Sequence, residues 1–217
     1  MHVVSTAGLV GIGLVGLGLV LTPGPNMIYL VSRTITQGRR AGLVSLLGVA
    51  AGFGVYLSAA AAGLASVFTA VPVAYTALKI AGGAYLLYLA WQALRPGGTS
   101  AFAPEPLPPD RPARLFTMGL VTNLLNPKIA VLYVALLPQF IDPARGSVGL
   151  QSLVLGSVQI GVALTVNTLI VLSAATLSRV LGRRPVWLRA QRYVMGGVLG
   201  ALALRLLLTD RARPAPA

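Results

Sequence analysis

Thr22-Pro23-Gly24-Pro25-Asn26 interrupts an uncharged, largely apolar stretch that begins at Val3 and resumes at Met27. A second break, Asn126-Pro127-Lys128, interrupts another apolar stretch farther along the chain. A proline inside a helix removes one backbone hydrogen bond, and in hydrocarbon the freed group is tolerated only where it faces protein or a wet cavity. Two such breaks in corresponding helices of two half-chains mark a binding site near the middle of a membrane.

Composition points the same way. The 217-residue chain is 56% hydrophobic and 10% charged, with mean hydropathy +0.81. So little polar surface cannot cover a water-soluble core, so most of the chain faces lipid or other helices. The acids Glu105, Asp110, Asp142 and Asp210 all fall in or beside predicted loops. A net charge of +13 raises nucleic acid as a partner. The arginines cluster at the ends of apolar segments rather than along one amphipathic face, however, and that excludes it. Without cysteine there is no disulfide, thiolate metal site or dithiol chemistry, and neither a metal nor a cofactor is expected. Only His2 precedes the first apolar stretch, and Thr-Pro-Gly-Pro follows it, so the N-terminus does not read as a cleavable signal.

Apolar stretches long enough to cross roughly 30 Å of hydrocarbon fall near residues 3–31, 41–67, 72–94, 114–141, 148–178 and 187–208. They predict an all-α membrane protein of about six transmembrane helices. The segment from 96 to 113 holds Pro96, Pro104, Pro106, Pro108, Pro109 and Pro112, too many prolines for a helix, and reads as an extended surface linker. It divides a single transporter domain, 1–217, into one repeat over 1–95 and another over 114–210. The last span of each half carries a glycine pair, Gly82-Gly83 and Gly196-Gly197, and the first span of each carries a proline break. Helix packing alone accounts for the glycines. Together with the breaks they favour an internal repeat, and three spans per half require it to be inverted, with broken helices one and four.

Arginine placement orients the chain. Arg33, Arg39 and Arg40 belong to the first loop, Arg95, Arg111 and Arg114 to the third, and Arg179, Arg183, Arg184, Arg189 and Arg192 to the fifth. These loops are then cytoplasmic and both termini outside. Arg211 and Arg213 in the tail run against that rule.

Candidate substrate-binding residues gather at the breaks. Pro23, Gly24, Pro25 and Asn26 start a new half-helix, whose free N–H groups and positive dipole end favour a carboxylate. A plain proline kink is the alternative. The second break supplies Asn123, Asn126, Pro127 and Lys128. No acid within a span faces Lys128, and an ammonium at that depth costs on the order of 3 kcal/mol unless paired or hydrated. It snorkels to the nearer face, bonds carbonyls opened by Pro127, or receives an anionic substrate group. Gln159, Thr165, Asn167 and Thr168 in the fifth span are further candidates. A buried amide needs a partner, so Gln159 and Asn167 point inward, toward another helix or toward substrate. Lys79, near the start of its span, reads as an interface anchor. Gly38, Gly42, Gly48 and Gly52 read as close helix packing.

Pro23-Gly24-Pro25, the spaced Gly38, Gly42, Gly48 and Gly52, Asn126-Pro127-Lys128 and Pro138-Gln139-Phe140 together resemble the LysE/RhtB family of amino-acid exporters, over essentially the whole chain. The resemblance implies a multi-pass protein of the bacterial inner membrane. It also implies export of amino acids or their derivatives, driven by the proton-motive force, and an inverted three-plus-three repeat. The partners are then a small amino acid and the lipid bilayer, with a homo-oligomer left open. Some basic-amino-acid exporters of the family have acids within their spans, whereas this chain has none. A neutral, homoserine- or threonine-like substrate is therefore favoured, and no membrane carboxylate or histidine is left to carry a coupled proton. An enzyme is not expected, because no Ser/His/Asp set, metal cluster or in-span acid pair supports one. A thiol-redox conduit needs cysteines at the breaks. A membrane scaffold or assembly subunit remains the alternative, although it does not explain two matched breaks.

Overall fold

The computed structural model describes residues 3–64, 72–95, 108–181 and 185–208. His2, the loop boundary at Val71, most of the proline-rich linker, Arg183 with Arg184, and the tail with Asp210, Arg211 and Arg213 lie outside the described residues. The architecture is all helical, with no strand among the described residues.

The first broken unit pairs α1, Thr6–Leu21, with α2, Pro25–Gln37, across a bend of 53°. Ser5 caps α1 by accepting from the Gly8 N–H at 3.0 Å, and Pro25 at the first position of α2 starts a helix where its missing N–H costs nothing. Next come α3, Arg39–Ala59, which runs into a π-helical turn at Ala60–Leu64, and α4, Pro72–Leu94. The second broken unit pairs α5, Pro112–Leu124, with α6, Pro127–Val131. After α6 the chain continues through a π-helical turn, Leu132–Leu136, and a 3-10 turn, Leu137–Phe140, and the bend between the two legs is 48°. The chain closes with α7, Val148–Leu181, and α8, Pro185–Leu208.

Two unbroken segments, Arg39–Gly63 and Val148–Ala174, are long and apolar enough to cross a membrane, and each bent pair is apolar enough taken together, as a broken span or a re-entrant loop. The long helices α4 and α8 stand where the third and sixth spans are predicted. Only 39% and 33% of the two unbroken apolar windows is buried. Leu14, Leu47, Leu125, Leu169 and Leu208 are all more than half exposed. An apolar surface of this extent suits lipid rather than water.

Glycines set the helix contacts. The missing side chains of Gly48 and Gly119 make room for the Phe116 and Ser45 carbonyls respectively, so α3 and α5 touch backbone to backbone. Gly42 accommodates Thr34 and Val171, and Gly52 accommodates Asn123. Gly38 departs from the packing expectation. Its φ of +89° and the open space where a Cβ would stand make it the turn between α2 and α3. Gly82 and Gly83 of α4 meet Leu206 and Leu207 of α8, while Gly196 of α8 meets Leu94 of α4, so these helices run antiparallel. Helix α7 runs antiparallel to α3, with Gly156 against Leu57, Gly149 against Ala61 and Val171 against Gly42. The two broken units are also antiparallel: Tyr29 donates to the Leu115 carbonyl at 2.7 Å, Lys128 reaches Leu19 and Thr22, and Phe140 covers Gly8 and Gly11.

One end of this pairing corrects two sequence expectations. Arg33, assigned to the first loop, is a buried residue of α2 and is ion-paired with Asp110. Residues 108–110, expected to be surface linker, dock against α2. Gln37 donates to the Asp110 carboxylate and to the Pro108 carbonyl, each at 2.9 Å, and accepts from the Asp110 N–H at 2.8 Å. The Gln37 hydrogen bond, then Arg33 and Arg114, hold the Asp110 carboxyl below the usual carboxylate range against the opposing pull of burial.

Candidate functional site

In a continuous helix the Leu19 carbonyl would accept from the N–H of residue 23, and Pro23 has none. Helix α1 stops there, with Thr22 extended and its hydroxyl turned back to the Gly18 carbonyl at 2.6 Å. The Lys128 ammonium fills the gap, donating to the Leu19 carbonyl at 2.9 Å and the Thr22 carbonyl at 2.6 Å. It therefore sits on the negative dipole end of α1, which offsets part of the cost of burying its charge. Of the three roles open to Lys128 from sequence, the structure displays carbonyl bonding, but to carbonyls freed by the first break rather than by Pro127. Gly24 makes the approach possible. A Cβ there would stand 2.8 Å from Lys128 Cε and 2.9 Å from Nζ, and with φ at −166° the demand is for space rather than for a left-handed backbone.

The second break is closed differently. The Asn123 carbonyl accepts from the Asn126 N–H at 3.1 Å. The Leu124 carbonyl, whose helical partner would be the Lys128 N–H, accepts instead from the Tyr56 hydroxyl at 2.8 Å. The Lys128 N–H goes to Asn126 Oδ1 at 3.1 Å, so α6 is capped by its own N-cap side chain. Gly24 gives α2 no such cap. The first backbone bond of α2 runs from the Ile28 N–H to the Gly24 carbonyl at 2.9 Å, which leaves the Asn26 and Met27 amides ahead of it.

A cavity of about 30 Å³ lies between the two breaks and α7, room for about two water molecules. Thr22, Gly24 and Asn26 line it from the first break, Asn126 and Lys128 from the second, and Gln159 and Asn167 from α7. Leu19, Val20, Met27, Phe53, Ile129, Leu132 and Ala163 form its apolar wall. Asn26 Oδ1 and Asn126 Nδ2 are buried without a hydrogen-bond partner, a costly arrangement unless a ligand or water completes it. Gln159 Oε1 accepts from the Tyr133 hydroxyl at 3.0 Å, and the Tyr133 ring stacks on Tyr56. Lys128 is the charged side chain of this lining. The cavity is smaller than an amino acid.

Gly24, Asn26, Asn126, Lys128, Gln159 and Asn167 thus come together. Pro23, Pro25 and Pro127 shape the breaks without lining the cavity. Asn123 is not brought in: it is fully buried against Gly52, and both of its amide atoms lack partners. Thr165 and Thr168 bond back to the Gly161 and Leu164 carbonyls of their own helix. Lys79 lies in α4, with its side chain outside the described ones. Sequence reasoning missed Tyr56, Phe53 and the Arg33–Asp110 pair. The signal for the pair was there: Tyr29, Arg33 and Gln37 recur every four residues and so form a polar stripe on one face of α2.

The family model for the LysE type translocator matches residues 2–210. The chain is 35% identical over 150 residues to a homoserine/homoserine lactone efflux protein of Salmonella typhimurium, covering 69% of this chain and 72% of that protein. It is 28% identical over 190 residues to a leucine efflux protein of the same species, covering 87% of this chain and 89% of the relative. It is 29% identical over 186 residues to the uncharacterized membrane protein YahN of Escherichia coli, covering 85% and 82%. No solved structure matches. Two broken apolar helices joined through one lysine, in a chain matched almost end to end, place this protein in the LysE type translocator family.

Proposed function

We propose that this protein is a secondary transporter that exports small neutral amino acids or their derivatives from the cytoplasm across the bacterial inner membrane, and that both breaks line one substrate site. The observation that carries this reading is the cavity itself. Two half-helix starts, two buried side-chain amides each with one unpartnered atom, and one ammonium converge where the broken helices cross. The site binds the substrate carboxylate at Lys128, Asn126 and the α2 N-terminus, and the uncharged body packs against Phe53, Leu132 and Ala163. When a carboxylate enters, it competes with the Leu19 and Thr22 carbonyls for the ammonium, which links binding to release of one helix end from the other.

Six spans as two inverted three-helix repeats form the framework of this reading, with residues 1–95 and 114–210 as the halves and both termini outside. Its support is directional: the two broken units, α3 with α7, and α4 with α8, run antiparallel. An inverted repeat requires this of each corresponding pair. The relatives named for efflux of leucine and of homoserine and its lactone support the substrate class. The proton-motive force drives export in this reading, although no acid lies within a predicted span to carry the proton.

The test is a panel of labelled amino acids loaded into vesicles containing the protein, with efflux measured against protein-free vesicles. Movement of leucine, homoserine or threonine, and none of lysine or arginine, is the expected pattern. Efflux of no amino acid in the panel overturns the reading. In intact cells an impermeant thiol reagent labels a cysteine placed at Ser147 and spares one placed at Ala103; the opposite pattern reverses the orientation.

A further inference from the structure

The first break presents two helix ends of opposite polarity side by side. Only Pro23 and Gly24 separate Thr22, the C-cap of α1, from Pro25, the first residue of α2. The α1 end offers the Leu19 and Thr22 carbonyls and a negative dipole, a place for a cation, and the Lys128 ammonium sits in it. The α2 start has no side-chain cap and keeps the Asn26 and Met27 amides ahead of its first backbone bond, a place for an anion. An α-amino acid carries one charge of each sign next to a single carbon, so it matches adjacent ends of this kind. The rest of the lining serves both signs. Asn126 Nδ2 is an unpartnered donor, and Asn26 Oδ1 is an unpartnered acceptor on a residue 7% exposed. Gln159 and Asn167 bring two more amides, of which the Gln159 oxygen already accepts from Tyr133. The Thr22 hydroxyl is turned back to the Gly18 carbonyl, so Thr22 serves an ammonium through its backbone oxygen. No acid lines the cavity, and carbonyl and amide oxygens are therefore what an ammonium meets there.

We propose that Lys128 holds the place of the substrate's α-ammonium. On binding, that ammonium takes the Leu19 and Thr22 carbonyls, with Asn26 Oδ1 as the third acceptor for its three hydrogens, while Lys128 turns to the substrate's acyl oxygen beside Asn126. This rests on the cavity being the substrate site. Lys128 leaves its carbonyls only for a new acceptor, and the carbonyls lose one ammonium only to gain another, so neither side is stranded. The site then selects compounds with a primary α-ammonium and an acyl oxygen, and rejects those in which a hydroxyl, with one hydrogen and no charge, replaces the ammonium. A carboxylate strengthens the hold of Lys128 and the α2 amides but is not the group that decides entry. Leucine, homoserine and homoserine lactone all carry the α-ammonium, whereas the lactone has an ester carbonyl in place of the carboxylate.

Two matched pairs isolate the ammonium: leucine against 2-hydroxy-4-methylpentanoate, and homoserine lactone against 2-hydroxy-γ-butyrolactone. Within each pair only the ammonium is exchanged for a hydroxyl, and the second pair has no carboxylate. The full chain, purified in detergent at mildly acidic pH, where both amines are protonated, is titrated with each compound, with its thermal unfolding midpoint as the readout. Each hydroxyl compound is expected to need at least about tenfold more than its amino partner for the same rise, since charge-assisted bonds are lost. Lys128→Ala with propylammonium, the part of the side chain that the substitution removes, tests the carbonyl pair by itself. The ion is expected to raise the midpoint of the variant by more than that of the parent, and 1-propanol to raise neither. Should that variant not fold, Asn26→Leu, which removes the third acceptor, is expected to narrow the gap within each pair. A hydroxyl compound that matches its amino partner within about threefold overturns the proposal and leaves amino-acid export untouched. If the amino compounds bind as expected but no amino acid is moved in vesicles, export fails and the ammonium subsite stands. If none of the four compounds shifts the midpoint of the parent, or if Lys128→Ala folds and ignores propylammonium, the proposal falls.

Discussion

Gly24 and Asn126 occupy the same position, each the N-cap of a half-helix that begins with proline, and each at a break where a carbonyl of the preceding helix has lost its helical partner. The next matched pair, Asn26 and Lys128, is the second residue of each half-helix. At the second break Asn126 caps its own helix, and the neutral Tyr56 hydroxyl fills the gap left in α5. At the first break the cap is a glycine, the helix start stays open, and the gap in α1 is filled by a charge borrowed from the other break. The difference teaches which break does which job. The second is closed within its own half of the chain apart from Tyr56, and the first is complete only when Lys128 arrives, so the ammonium ties the halves together at the point where substrate is proposed to bind.

Replacing Lys128 tests that asymmetry most severely. Lys128→Met strands the Leu19 and Thr22 carbonyls and removes the charge for a carboxylate, so export normalised to protein level is expected to fall by about a hundredfold or more, the equivalent of two charge-assisted hydrogen bonds. Lys128→Arg should keep part of the activity, because its planar guanidinium fits two carbonyls less well beside Gly24. Activity within twofold of the parent in Lys128→Met would dissolve the comparison.

Asp110→Ala acts at the far end of the same helix pair and leaves Arg33 buried without its partner, for an expected loss of about 3 kcal/mol in unfolding stability. The sign of the pH dependence follows from the lowered Asp110 pKa. The carboxylate contributes its stability above the ordinary carboxylate range, and that contribution fades as pH falls through the lower folded value. Denaturant unfolding should therefore show the gap between parent and variant constant around neutrality and closing only in acid. A gap that closes near neutrality would remove Asp110 from the contact.

Gly24→Ala and Asn126→Gly sharpen the comparison directly. The added methyl pushes the Lys128 amine off its carbonyls, and export is expected to drop about tenfold, one charge-assisted bond. Asn126→Gly keeps the N-cap geometry and costs a few tenths of a kcal/mol in stability. Equal stability losses in the two variants would mean that the first break does not depend on close approach. Tyr56→Phe has the smallest expected effect on the pair, about 1 kcal/mol of stability from the unfilled Leu124 carbonyl, with export retained. An export defect larger than the stability defect would move Tyr56 into the site.

Much of this molecule is readable from local chemistry. Pro23, Pro25 and Pro127 cannot donate to a helix ladder, so the places where the helices stop and restart follow from the residues themselves. The apolar stretches announce lipid-facing helices because no other surface suits them. Gly38 shows the limit of that reading: spacing alone suggested a packing glycine, while the positive φ that makes it a turn depends on where α3 begins. Arg33 and Asp110 are far apart in sequence, and the polar stripe of Tyr29, Arg33 and Gln37 marks a face of α2 without naming Asp110 as its partner.

What the sequence by itself determined is therefore the set of breaks, the apolar helices and the placing of the Lys128 ammonium at the second break, because backbone donors and hydrophobic transfer are properties of single residues and short segments. What only the tertiary structure decided is whom Lys128 serves. Its candidate partners were its own break, the membrane face and a ligand, and the answer, the carbonyls freed by Pro23, depends on two helices crossing so closely that Gly24 alone leaves space for the side chain. A hydrogen bond needs its partners within about 3 Å, and for residues so far apart along the chain only the packing of the whole fold sets that distance.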